Sequence, residues 1–135
     1  MANALYDSGR EQFLTAGINW SSDTIKVYLI DSGAYTVSTS THDFLDDVAA
    51  GSRIAGPQTL GSKTTTAGAA DAADVTFSAV SGTSIEAILI YKDTGSEATS
   101  QLIAYIDTAT GLPITPNGGD IIVQWDNGTN KIFKL

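Results

Sequence analysis

The chain of 135 residues has no cysteine. That excludes disulfides, thiol nucleophiles and cysteine-ligated zinc, and it leaves the fold independent of redox compartment. Basic residues are scarce: 7 Lys and Arg face 15 Asp and Glu, for a formal net charge of −8. Nucleic-acid affinity comes from Lys and Arg neutralising phosphates, and anionic membrane surfaces attract the same side chains. With no basic cluster, the composition predicts neither as a partner. The imbalance runs through both halves, so there is no acidic or basic tail. A single histidine, His42, restricts any Ser-His-Asp arrangement to that residue. No apolar run approaches the length of a membrane span. The first seven residues lack the basic and apolar regions of a secretory signal, so synthesis in a cytoplasm is expected. No repeat at a solenoid or propeller period is visible.

What is present argues for a packed fold. Hydrophobic residues are 42% of the chain and charged residues 16%, too apolar a mixture for a disordered polymer. The length suits one hydrophobic core, so residues 1–135 are expected to form a single domain. Residues 3–15 read as a helix through the stripe Tyr6, Gly9 and Phe13, with Gly17 as its stop. The segment 1–17 is then a helix packed on, or projecting from, a β domain over 24–135. Residues 24–31 alternate as a strand, with Ile25, Val27 and Leu29 on one face and Lys26, Tyr28 and Ile30 on the other. Residues 32–40 read as loop. Residues 41–48 read as a short helix with Thr41 as N-cap. One or two weak, polar strands are expected over residues 52–66, around Arg53-Ile54 and Thr59-Leu60, with Pro57 marking an edge or turn. A small-residue loop covers 64–73, and a strand covers 74–79 with Val75 and Phe77 on one face.

Four further strands are expected at 84–92, 101–107, 120–125 and 131–135. Asp93-Thr94-Gly95, residues 116–119 and Asp126-Asn127-Gly128 supply the turns between them. Short connections favour antiparallel pairing of successive strands. Several strands are apolar on both faces: Ala87, Leu89 and Tyr91 oppose Ile88 and Ile90, while Leu102, Ala104 and Ile106 oppose Ile103 and Tyr105. A sheet with one solvated face alternates more cleanly, so each face needs a cover. The expected fold is mainly β, an antiparallel β-sandwich or jelly-roll-like domain with one short N-terminal helix.

The search for chemistry returns no catalytic, cofactor-binding or metal residue. His42 lies among Asp43, Asp46 and Asp47 and reads as a surface histidine. No serine sits in a G-x-S-x-G elbow. On a helix the three aspartates would share a face, but they lack the loop pattern of a calcium site. Glu86, Glu97, Asp107 and Asp120 are candidate carboxylates for glycosidase-type work, yet they are scattered over different elements. Gly118-Gly119 is turn geometry, not a nucleotide fingerprint. Trp20, Trp125, Tyr28, Tyr35 and Tyr91 could build a sugar-binding platform or fill the core. Tyr35 is the aromatic expected to be most exposed, and Trp125 is expected in the core. Asn127-Gly128-Thr129 matches the N-glycosylation tripeptide, with no secretory signal to support its use.

Three ordered segments carry a resemblance. They are ALYDSGREQFLTAGINWSSDTIKVYLID, DAADVTFSAVSGTSIEAILIYKDTGSEATSQLIAYIDT and GLPITPNGGDIIVQWDNGTNKIFKL, which together span nearly the whole chain. The arrangement resembles a family of small proteins encoded by tailed bacteriophages among their virion structural genes. The resemblance implies a virion component, similar to capsid decoration or cement proteins that bind the outside of an assembled head. Its implied partners are the major capsid protein and other copies of itself, as a homo-oligomer with a trimer natural at threefold positions. It implies no enzyme activity and no cofactor. The N-terminal helix and residues 32–40 and 61–73 are the expected contact segments. The alternatives are a tail component (tube, baseplate or fibre) and a carbohydrate-binding adhesion module.

Overall fold

The structure, a computed structural model, describes residues 3–135. In chain order, β1 spans Ala4–Leu5, α1 Asp7–Leu14, β2 Ile25–Ile30, β3 Arg53–Thr59, β4 Ala69–Ala70 and β5 Val75–Phe77. Next come β6 at Ala87–Lys92, β7 at Leu102–Ile106, β8 at Ile121–Val123 and β9 at Phe133–Lys134. Short 3-10 turns occupy Leu45–Asp47, Ala50–Ser52 and Thr66–Gly68. Five strands form one sheet in the order β1-β7-β6-β2-β3, antiparallel at every pairing. Two antiparallel ribbons, β4 with β9 and β5 with β8, stand apart from it. The chain is thus mainly β with one short N-terminal helix, as its alternation predicts.

Both faces of the five-stranded sheet are buried, which explains the two-sided apolar strands. On one face Ile25, Val27, Leu29, Ile88 and Ile90 pack with Val75, Phe77, Ala70 and Val123 from the ribbons and with Trp20 and Trp125. On the other, Ile30, Ala87, Leu89, Tyr91, Leu102 and Tyr105 are roofed by Tyr6, Tyr35, Leu45 and Val48. Burying each large side chain contributes about 1.5–3 kcal/mol relative to exposure. The cover of the second face is therefore mostly an irregular segment, residues 31–52, and not a sheet.

Strand β7 departs from simple alternation. Ile90 opposes Ala104, but Tyr91 opposes Leu102, so Ile103 is an extra residue in a β-bulge. A bulge flips the parity of the residues beyond it. Leu102 and Tyr105 consequently share the second face, while Ile103, Ala104 and Ile106 go to the first. This corrects the expected faces of that strand.

The helix is shorter than the 3–15 pattern suggests. Tyr6 is extended, at φ −70° and ψ 140°, and its N–H donates to Ile103 O at 2.9 Å. Residues 4 and 5 are thereby drawn into pairing with β7, at Tyr105 and Ala104. Gly9 then lets α1 settle on the bulge: a Cβ there would lie 2.6 Å from Leu102 O and 3.2 Å from Ile103 Cα. The glycine that weakens the helical pattern is the one that seats the helix.

Other expectations are corrected by pairing over distance. The expected helix at 41–48 is only the 3-10 turn Leu45–Asp47, because the segment is stretched along the neighbouring chain. Leu45 N–H donates to Ser100 O and Leu102 N–H to Asp43 O, both at 2.9 Å. Thr41 caps nothing; its hydroxyl meets that of Ser38 at 2.6 Å. Of the one or two weak strands expected between residues 52 and 66 there is one, the edge strand β3, with Pro57 inside it as expected of an edge. The loop expected at 64–73 contains β4, which bonds to β9. The C-terminal strands do not all pair in succession either. β6 and β7 do, but β8 returns to β5 and β9 to β4. Apolar Ile121, Val123 and Phe133 find their cover against the first face of the large sheet by those partners.

Candidate functional site

His42 is held by an internal hydrogen-bond chain. Ser38 N–H, which can only donate, points at His42 Nδ1 at 3.3 Å. Nδ1 is therefore an acceptor and the ring proton sits on Nε2, an assignment made from the bonding pattern. The Tyr35 hydroxyl meets the same Nδ1 at 2.8 Å and lies 3.0 Å from the Tyr6 hydroxyl. Tyr6 O–H thus donates to Tyr35, and Tyr35 O–H to the imidazole. Burial pushes the Tyr6 hydroxyl up, and donation to Tyr35 pushes it further. Burial also raises Tyr35, despite the hydrogen bond from Tyr6 that opposes it. The three groups tie residues 31–42 to the base of α1. Tyr35, expected to be exposed, is buried at 5% exposure. Its ring packs edge-on to Tyr105, with centroids 5.9 Å apart.

The aspartates beside His42 do not share a helix face. Asp47 Oδ2 accepts from Asp43 N–H at 2.9 Å and from Phe44 N–H at 3.4 Å. These bonds, that from Asp43 first, hold the Asp47 carboxyl below its usual range. Among the described residues no group of three or more His, Asp or Glu side chains is arranged to hold a metal.

Each scattered carboxylate has a local role. Glu86 accepts from the N–H and hydroxyl of Ser32, at 3.0 and 3.1 Å. Asp120 accepts from Ala79 N–H at 3.0 Å. Asp107 accepts from the Thr108 hydroxyl at 3.3 Å. Glu97 pairs with Arg53 at 2.7 Å, and that pairing keeps its carboxyl low. The bonds of these four carboxylates run to four different partners. The expected aromatic platform is dispersed as well. Trp20, Trp125 and Tyr91 are buried. The two indoles donate to Asp71 O and Ala73 O, each at 3.1 Å. Tyr28 stacks on Tyr91 at 5.7 Å.

Part of the open surface is apolar. The exposed large hydrophobics among the described residues are Leu14, Ile122 and Leu135, at 88%, 60% and 65%. A pocket of about 380 Å³ lies where the end of α1, the 16–20 segment and the β4–β9 ribbon meet. Phe13, Ile18, Trp20 and Phe133 form its walls and Leu135 its rim. Phe133 packs edge-on to Trp20 at 5.3 Å and tilted to Phe13 at 5.9 Å. Leu14, next to Phe13, extends into solvent beyond the core-facing side of α1. Its lining is mainly apolar and carries no charged side chain. The helical stripe places Phe13, but the pocket is not legible from it, because its other walls come from residues 65–70 and from Phe133 and Leu135, far along the chain.

Most cations are already engaged. Lys26 pairs with Asp93 at 2.9 Å, Lys92 with Asp23 at 3.2 Å, Arg53 with Glu97 at 2.7 Å and Arg10 with Asp7 at 3.9 Å. The outward charge is therefore chiefly acidic. No family model matches the chain, and no curated protein matches it.

Proposed function

We propose that the chain is a structural virion protein of a tailed bacteriophage, a decoration protein that binds the outer surface of an assembled head and staples neighbouring capsomers. The observation that carries this reading is the resemblance of its three ordered segments, over nearly the whole chain, to small phage virion proteins. Two surface features support the reading: an aromatic-walled pocket lined in part by Leu135, and the exposed Leu14 on α1. Exposed apolar surface is the kind of surface at which interaction sites are found. The acidic exterior suits a position away from DNA. In this reading the five-stranded sheet and its two facing ribbons form a β-sandwich whose second layer is split in two.

Attachment is additive. Small contacts repeated over a lattice reach high occupancy through avidity, with no single large interface. The pocket receives an apolar side chain of the major capsid protein, and copies of the chain meet around a symmetry axis. Of the contact segments expected from sequence, residues 32–40 contribute buried Tyr35 to the core, so the outer end of α1 and the C-terminal ribbon are the preferred contacts.

Cryo-electron microscopy of purified particles tests the reading. Density repeating over the head lattice, with the Phe13–Phe133 pocket against a capsomer, is the expected result. Density confined to the tail would keep a virion role and move it to a tube, baseplate or fibre. Absence from the particle would overturn the proposal. Replacing Leu14 by Glu should leave folding intact, since surface substitutions stay within about 0.5 kcal/mol, while lowering head occupancy.

A further inference from the structure

We propose that Asn127 is a site of spontaneous deamidation in the folded protein and that Asn117, in the same dipeptide, is protected from it. The chain contains Asn-Gly twice, at Asn117-Gly118 and Asn127-Gly128. In both, the residue after asparagine has no side chain to shield its amide nitrogen. The reaction uses that nitrogen. It attacks the asparagine Cγ, a new N–Cγ bond forms, the Cγ–Nδ2 bond breaks, and ammonia leaves with the proton from the glycine amide. Water then opens the resulting succinimide at either carbonyl to give aspartate or isoaspartate. Overall, a carboxamide and water become a carboxylic acid and ammonia, and nothing is oxidised or reduced.

The two exposed turns hold the reacting groups differently. At the first, Gly118 N–H donates to Val80 O at 2.8 Å, and Asn117 Oδ1 accepts from Gly119 N–H at 2.9 Å. The nucleophile is engaged with one carbonyl and the electrophilic carboxamide is pinned by another residue. Attack there requires both bonds to open. At the second, neither group is held. Among the described residues Gly128 N–H has no acceptor and the Asn127 carboxamide has no partner. What is bonded there is the Asn127 backbone carbonyl, which accepts from Lys131 Nζ at 3.5 Å. Both Asn127 and Gly128 are exposed to water. The tripeptide Asn127-Gly128-Thr129 thus reads as a site of chemical ageing. The product adds one negative charge to a chain whose formal net charge is −8. Its isoaspartyl form also inserts a methylene into the backbone between β8 and β9.

The test is incubation of the folded chain at mildly alkaline pH, followed by peptide mass spectrometry. The mass change of NH₂ to OH reports deamidation, and isoaspartyl methyltransferase labelling reports the rearranged product. A parallel incubation in guanidinium chloride gives the intrinsic reactivity of both dipeptides. Unfolded, the two sites should react at comparable rates. Folded, position 117 should fall behind position 127 by roughly tenfold or more, as expected for opening its hydrogen bonds. Asn127→Ser should abolish the modification at that site and leave 117 slow. Equal folded rates at the two sites, or a 127 rate suppressed as strongly as that at 117, would overturn the proposal.

Discussion

At Gly9 the missing side chain sets the distance between a helix and a strand. Because a Cβ would lie 2.6 Å from the Leu102 carbonyl, Gly9→Ala must push α1 off the bulge. The expected cost is about 1–3 kcal/mol, as for other overpacked core sites, read as a lower midpoint in chemical denaturation. An unchanged midpoint would mean the helix slides away freely. Tyr35 makes a second residue-scale argument. Tyr35→Phe leaves the buried Tyr6 hydroxyl and His42 Nδ1 without their shared partner, and an orphaned buried group costs about 1–3 kcal/mol. A variant as stable as the parent would show that water replaces the hydroxyl. Asp47 links stability to acid. Its folded carboxyl lies below the ordinary value because Asp43 and Phe44 N–H groups stabilise the ionised form. The contribution is complete above the unfolded value of about 3.9 and is lost as the pH falls through the lower folded value. Asp47→Asn keeps an acceptor but removes the titration. It should flatten the fall in stability with acid, measured as denaturation midpoint against pH.

Among the elements, the segment 42–52 shows how an irregular cover is held over a sheet. Arg53, at the start of β3, is nearly buried, and its Nη2 donates to Leu45 O at 2.9 Å and Val48 O at 2.6 Å while pairing with Glu97 at 2.7 Å. Its guanidinium also lies 5.5 Å from the centre of the Tyr28 ring. One side chain thereby joins β3, the 3-10 turn and the loop before β7. Arg53→Ala exposes two carbonyls to loss of their donor and empties packing volume. The expected cost is about 2–4 kcal/mol. Hydrogen exchange should accelerate first at residues 42–52, because local opening precedes global unfolding where few other bonds hold a segment. Uniform acceleration across the sheet would contradict that picture. The bulge in β7 is a comparable device: by inserting Ile103 it turns Leu102 and Tyr105 together toward the tyrosine-rich face, which strict alternation cannot do.

On the scale of the whole molecule, the second face is built from tyrosine. Tyr6, Tyr35, Tyr91 and Tyr105 are all buried in one cluster, and burial raises each hydroxyl, that of Tyr105 to about 12. In the unfolded chain these hydroxyls ionise near pH 10. A group raised in the fold gives stability that is complete below the unfolded value and lost as the pH climbs through the folded one. The protein should therefore weaken above about pH 10. Most tyrosinate absorbance should appear together with unfolding and not before it. A full tyrosinate signal with the fold retained would refute the buried cluster. In the decoration reading, the same molecule presents its acids outward and offers an apolar pocket between the end of α1 and the β4–β9 ribbon, so the surface variant Leu14→Glu and particle imaging are the decisive pair.

By itself the sequence determined what short-range physics controls. The alternation of residues 25–30 and 87–92, the Asn, Asp and Gly turns, and the need to cover two apolar faces all belong to neighbouring residues, whose contacts depend on strand periodicity alone. The tertiary structure decided what depends on distant partners. Residues 41–48 lost their helix because the backbone of Ser100 and Leu102 offered better-placed hydrogen bonds. β8 and β9 abandoned their sequence neighbours for β5 and β4. Tyr35 went inside because the Tyr6 hydroxyl and His42 Nδ1 were there to satisfy it. The apolar pocket exists because residues 13–20 and 133–135 converge. Composition restricts such long-range choices without selecting among them, since local propensity is worth tenths of a kcal/mol per residue and burial is worth kcal/mol per side chain.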